Sequence, residues 1–153
     1  KLKLATIMPS DAEFKQAVET ATVSKASLAR YYLRSMEMAA KGEATPWFIP
    51  NDDRQAINLE HVLPLKPDPS WSGSFPTPES MHANVRKLGN MALLLAKNNS
   101  DIGSLDFHKK RAMYKQSPYE LTRQIAGVSE WNEARIAERQ AILATLAVKA
   151  WPV

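Results

Sequence analysis

A carboxylate and an imidazole stand side by side at the end of the short run Ile57-Asn58-Leu59-Glu60-His61-Val62-Leu63-Pro64, and amides return at Asn90, Asn98 and Asn99. Groups of these types can hydrolyse a phosphodiester. A neutral histidine, with an ordinary pKa of about 6.5, can take a proton from water, while a cation neutralises charge on the phosphorane and on the leaving oxygen. Glu60 can ligate a hard divalent ion, and an amide oxygen from Asn99 can complete the protein's share, leaving positions for water and phosphate. Adjacent residues of a strand point to opposite faces. Glu60 and His61 therefore do not easily chelate one ion from a regular strand, but at a strand end they can put a ligand and a base around the same phosphate. Taken alone, the dipeptide is better read as a half-buried histidine held by a local carboxylate, so the surrounding elements decide its meaning.

Those elements read as follows. Ser10-Asp11-Ala12-Glu13 is a capping-box signature and opens a helix over 10–22, with Phe14 and Val18 on its apolar side. Leu28, Tyr32, Met36 and Ala39 predict a second helix over 24–41, with Gly42 placed to end it. Pro46 and Pro50 break the pattern around Trp47 and Phe48, a connector after the N-terminal helices of 10–45. Residues 56–62 suit a short strand stopped by Pro64. Residues 66–87 carry Pro67, Pro69, Pro76, Pro78, Gly73 and several serines, and read as a long irregular loop pinned by Trp71. Gly89 turns the chain into a second apolar strand at 90–95. A helix over 104–116 follows, with Leu105, Ala112 and Met113 on one side and Lys109, Lys110, Arg111 and Lys115 on the other, stopped by Ser117-Pro118. The last helix covers 129–150, with Ile136, Leu143 and Leu146 in its stripe and Trp131 and Trp151 as clasps.

With 153 residues and 44% hydrophobic content, the chain fits one domain with a core of its own. It lacks cysteine, which excludes a disulfide framework and thiolate zinc sites. No apolar run approaches the roughly 20 residues of a membrane span and no signal peptide is recognisable, so a cytoplasmic location is the default. Lys1 in place of methionine suggests a piece of a longer protein. The net charge of +4 permits a polyanionic partner. Its distribution is more telling: Arg86, Lys87, Lys97, Lys109, Lys110, Arg111, Lys115 and Arg123 face only Asp101, Asp106 and Glu120 in the same segment.

The order of Leu59-Glu60-His61-Val62-Leu63-Pro64, Leu88-Gly89-Asn90-Met91-Ala92-Leu93-Leu94, Asn99-Ser100, Phe107, Lys110, Tyr114 and Ser117 resembles the HNH-type nuclease domain at the C-terminal end of GmrSD-like modification-dependent restriction enzymes and related phage-defence proteins. The resemblance extends upstream to Arg30-Tyr31, Leu33-Arg34 and Glu37, and downstream to Trp131, Ile136, Arg139 and Trp151-Pro152. It implies an α+β, mostly helical fold, with a ββα-metal (HNH, His-Me) finger over 56–117 set in a helical domain. It also implies a hydrolytic endonuclease using one divalent ion, with Mg2+ expected and Mn2+ or another ion acceptable. On the matching positions His61 would be the general base, Glu60 one metal ligand and Asn99 the second. Asn98 competes with Asn99, which stands nine residues after Asn90 as in other HNH fingers. Asn90 would act by side-chain hydrogen bonds that hold the loop carrying His61.

The expected substrate is therefore DNA in bacterial restriction or anti-phage defence. Lys109, Lys110, Arg111 and Lys115 would hold its backbone without reading sequence. An N-terminal sensing or NTPase domain would lie outside this chain, and a double-strand break would need two copies, as in a dimer, or two encounters. Two alternatives stand beside this expectation: a non-catalytic nucleic-acid-binding or interaction module on the same scaffold, and cleavage of RNA, since a phosphate-directed site is blind to the sugar.

Overall fold

The computed structural model describes residues 8–42, 56–96, 102–103 and 105–152. Lys97, Asn98 and Asn99, together with the connector around Trp47, lie outside the described residues. The central apolar runs form two antiparallel strands, β1 (Ile57–His61) and β2 (Met91–Leu95), with Ile57 opposite Leu95, Glu60 opposite Ala92 and His61 opposite Met91. β2 reads Met-Ala-Leu-Leu-Leu without alternation because both its faces are covered, the usual reason for a continuous apolar strand. Ala92 and Leu94 belong to a core with Val62, Leu63, Phe75 and Trp131, whereas Met91 and Leu93 belong to a second core with Leu33, Met36, Leu121 and Leu143. On the far edge of β2, Thr122 Oγ1 donates to the Leu93 carbonyl at 2.7 Å and Arg139 Nη1 to that of Met91 at 2.7 Å, so the edge is closed by side chains.

Six α-helices pack around this hairpin among the described residues, which makes the fold α+β and mostly helical. α1 (Asp11–Thr20) begins with the expected reciprocal cap: Ser10 Oγ accepts from Glu13 N–H and Glu13 accepts from Ser10 N–H. α2 (Ala26–Lys41) starts two residues later than its periodicity suggests and ends on Gly42 at φ 70°, a left-handed position that glycine adopts without a Cβ penalty.

The stretch 66–87 departs most from expectation. It is structured, with a 3-10 turn at Pro69–Gly73 and a helix, α3, at Pro78–Val85. Thr77 caps α3 by accepting from Ser80 N–H at 3.1 Å, and Pro78 occupies the first helical position, where a missing N–H costs nothing. Two of the four prolines that suggested a loop, Pro69 and Pro78, are thus helix-start residues.

α4 (Phe107–Lys115) begins three residues late because Asp106 caps it, accepting from Lys109 N–H at 3.0 Å. α5 (Glu120–Ile125) has no counterpart in the sequence reading. Its N-terminus is capped from afar: Glu37 of α2 accepts from the N–H groups of Glu120 at 2.6 Å and Leu121 at 2.9 Å. α6 (Glu133–Ala150) is capped by Asn132 and packs against α1, α2 and the turn before β2. No helix among the described residues is long and apolar enough to cross a membrane.

Candidate active site

Asn90 sits at the end of a 3-10 turn, Leu88–Asn90, that leads into β2, and it is completely buried. All of its side-chain hydrogen-bonding capacity is directed at neighbouring segments. Oδ1 accepts from Leu63 N–H at 2.8 Å and Trp131 Nε1 at 3.0 Å, while Nδ2 donates to the carbonyls of Leu63 and Val85, both at 3.0 Å. The backbone adds Val62 N–H to the Asn90 carbonyl at 2.9 Å. Val62 and Leu63, the two residues after His61, are therefore held in place from the turn that leads into β2. Trp131 is fixed in turn by stacking on Phe107, with ring centroids 5.7 Å apart.

The turn itself is clamped by two polar residues of α6. Arg139 Nη1 donates to the carbonyls of Gly89 at 2.9 Å and Met91 at 2.7 Å. Burial pulls its guanidinium down to about 10, so it remains charged at neutral pH. Gln140 Oε1 accepts from Gly89 N–H, and its Nε2 reaches the Val18 carbonyl of α1 at 2.7 Å. Gly89 has to be glycine for this close approach, because a Cβ there would stand 2.3 Å from the Ile136 carbonyl oxygen.

Glu60 and His61 end β1 side by side but in different surroundings. Glu60 is 6% exposed; its Oε1 accepts from Lys110 Nζ at 2.6 Å and Tyr114 Oη at 2.9 Å. Lys110 also donates to the His61 carbonyl at 3.0 Å. Burial raises the Glu60 carboxyl, opposed by the charge and hydrogen bond of Lys110 and by Tyr114; burial lowers Lys110, opposed by Glu60. Tyr114 is pushed well up by burial and stays a protonated donor. His61 is half-buried and lowered to about 4 by burial and by the positive charges of Lys110 and Arg86, so its imidazole is neutral at physiological pH.

The basic helix divides. Lys109 is exposed and pairs with Asp106 at 3.3 Å, Arg111 is half-buried, and Lys115 is exposed. Lys110 is fully buried against Glu60 and is not part of a phosphate-facing surface, which corrects its grouping with the other three. The buried face of α4 is Phe107, Lys110 and Tyr114, whereas Ala112, placed in the apolar stripe by the sequence reading, is exposed. The spacing of 107, 110 and 114 carried that signal, but a lysine in the stripe masks it. Sequence reasoning gave Lys110 a different role, and gave Tyr114, Arg139 and Gln140 no position at this site. The second proposed ligand, Asn99, and its competitor Asn98 fall outside the described residues.

The sequence model of the family GmrSD restriction endonucleases, C-terminal domain, matches residues 8–146. The chain belongs to that family. A comparison with curated protein sequences returned no match. In this GmrSD C-terminal domain the matched span contains the β1–β2 hairpin, the Asn90 brace, the Lys110 and Tyr114 contacts to Glu60, and both α6 clamps. Membership makes it a domain of restriction endonucleases, the class of activity the sequence resemblance implies.

Proposed function

We propose that the domain is a metal-dependent DNA endonuclease or nickase that hydrolyses phosphodiester bonds through a ββα-metal (HNH) finger made by β1, β2 and the segment after them. The observation that carries the reading is the position of His61. It is a neutral imidazole at a strand end, and the chain beyond it is fixed at Val62 and Leu63 by Asn90. In this reading His61 takes a proton from the attacking water as oxygen bonds to phosphorus, and releases it to solvent after the bond to the leaving oxygen breaks. A neighbouring phosphate raises the basicity of the imidazole, because an anion favours its protonated form.

Both side-chain hydrogen bonds to Glu60 among the described residues fall on Oε1. A magnesium-like ion is held by one or two carboxylates with substrate phosphate and water. One oxygen of Glu60 with the amide of Asn99 therefore suits its donor chemistry. When bound there, the ion would supply charge neutralisation at the attacked phosphate. Lys110 and Tyr114 hold the carboxylate by fixed donors, so Glu60 is oriented before any ligand arrives. Lys109, Arg111 and Lys115 are proposed to contact the DNA backbone, and the domain to act in restriction or phage defence beside a separate sensing domain.

The purified domain is expected to nick supercoiled plasmid with Mg2+ or Mn2+, to stop on chelation, and to lose at least about a hundredfold in rate on His61→Ala, the usual size of a general-base contribution. Plasmid conversion on a gel measures this. Cleavage that persists in folded His61→Ala would sink the assignment of the base. Salt-sensitive binding without cleavage would favour the non-catalytic module, and a matched RNA substrate cut faster than DNA would change the substrate.

A further inference from the structure

α4 and α5 enclose a groove of about 530 Å3 on a side of α4 other than the one that meets Glu60. His108, Arg111 and Lys115 recur along one face of α4, Arg123 comes from α5, and Ala112 and Ala126 form part of its lining. Each arginine is anchored by a single nitrogen. Arg111 Nε donates to the Ala126 carbonyl at 2.8 Å, and Arg123 Nη1 to the Ser117 carbonyl at 2.8 Å. A guanidinium carries five N–H donors in a rigid fork, so most of each fork remains for a ligand. Among the described residues none that lines the groove is acidic, and no ion pair engages Arg111, Lys115 or Arg123. Lys109 and Lys110 belong elsewhere, the first with Asp106 and the second with Glu60.

We infer that this groove is an exosite for the phosphodiester backbone of a nucleic acid, with Arg111, Lys115 and Arg123 as its phosphate contacts and His108 at its wall. Planar guanidiniums match phosphate oxygens by parallel hydrogen bonds, and pre-anchored forks give up little entropy on binding. Small residues in the lining let a sugar-phosphate chain approach closely. The exosite rests on the proposal that the substrate is a nucleic acid. It extends that proposal by placing backbone contacts away from the catalytic strand end and by adding Arg123.

The test uses the whole chain with His61→Ala, so that no probe is cut, and reads fluorescence anisotropy of labelled duplex DNA, single-stranded DNA and RNA across a salt series. Lys115→Gln with Arg123→Gln is expected to weaken duplex binding about tenfold or more at 0.1 M salt and to reduce the log–log salt slope by about 1.8, the value for two lost phosphate contacts. Lys115→Gln alone, at an exposed residue, should give about half that slope change with circular dichroism unaltered. Lys25→Gln with Lys149→Gln, on exposed surface elsewhere, should bind as the parent does. The arm showing the larger loss identifies the polymer that occupies the groove. Parent-like affinity and slope in both groove variants would overturn the exosite alone, whereas a parent that binds none of the probes would overturn the nucleic-acid reading as well. Displacement of duplex by polyglutamate at equal charge would assign the groove to an acidic protein and overturn the exosite.

Discussion

The two residues at the end of β1 differ in what their surroundings do to charge. Glu60 has a buried lysine and a buried tyrosine on one oxygen, while His61 is held neutral by partial burial and, after that, by its positive neighbours. The lowered His61 value has a thermodynamic consequence. The unfolded chain, with an ordinary histidine near 6.5, binds the proton more tightly than the folded one at about 4. Stability from this residue is thus fully present above about pH 6.5 and is lost as pH falls toward 4. From pH 7 to pH 5 the loss is at most roughly 2 kcal/mol, reduced by solvent screening of a half-buried ring. Urea unfolding at the two pH values, with chelator present, should show it, and His61→Asn should remove that part of the difference. A pH dependence identical in parent and variant would place the charge change elsewhere.

At the scale of elements, the site is a hairpin braced from outside. The 3-10 turn at Leu88–Asn90 gives its carbonyls to Arg139, its N–H at Gly89 to Gln140, and the Asn90 side chain to the chain after β1. Gly89→Ala forces α6 away from the turn, since the Ile136 carbonyl is backbone and cannot swing aside. The expected cost is about 2 kcal/mol or more, at the upper part of the range for overpacking a tight contact. Thermal unfolding measures it; a midpoint equal to the parent's would mean the approach relaxes freely. The reciprocal cap at Ser10 made the start of α1 legible, whereas the equally local caps at Asp106 and Asn132 lie past the expected starts of α4 and α6, and α3 and α5 have no counterpart in the sequence pattern as read. At α3 the Thr77-Pro78 cue was present but read as loop. At α5 the cap is Glu37, far away in the chain, and no local pattern announces it.

Across the whole molecule, α6 ties the beginning of the chain to its middle. Trp151, just past its end, meets Phe14 of α1 and Tyr31 and Tyr32 of α2 with ring centroids 5.7 to 6.5 Å apart, and donates to Tyr31 Oη at 3.3 Å. Trp151→Ala should lower stability by about 2 kcal/mol, below the 3–5 kcal/mol of a fully buried tryptophan because this one is half-buried. The urea midpoint is expected to fall with an unchanged m-value, the mark of a loss felt by one cooperative unit. A second transition confined to α1 and α2 would show instead that the clasp joins separable parts.

The sequence by itself determined the paired strands, the reciprocal cap of α1, the glycine stop of α2, the order of the Glu-His-x-Leu-Pro and Leu-Gly-Asn elements, and through that order the family. These rest on periodicity and on interactions among residues a few positions apart, which spacing encodes directly. Tertiary structure alone decided that Lys110 pairs with Glu60 instead of facing solvent, that Arg139 and Gln140 clamp the turn, and that Arg111 and Arg123 share a groove. For a lysine in an amphipathic helix, exposure is the lower-energy default, because an ammonium is costly to bury. Only a carboxylate and a carbonyl arriving from a strand fifty residues earlier reverse that balance, and their arrival is a property of the packed fold.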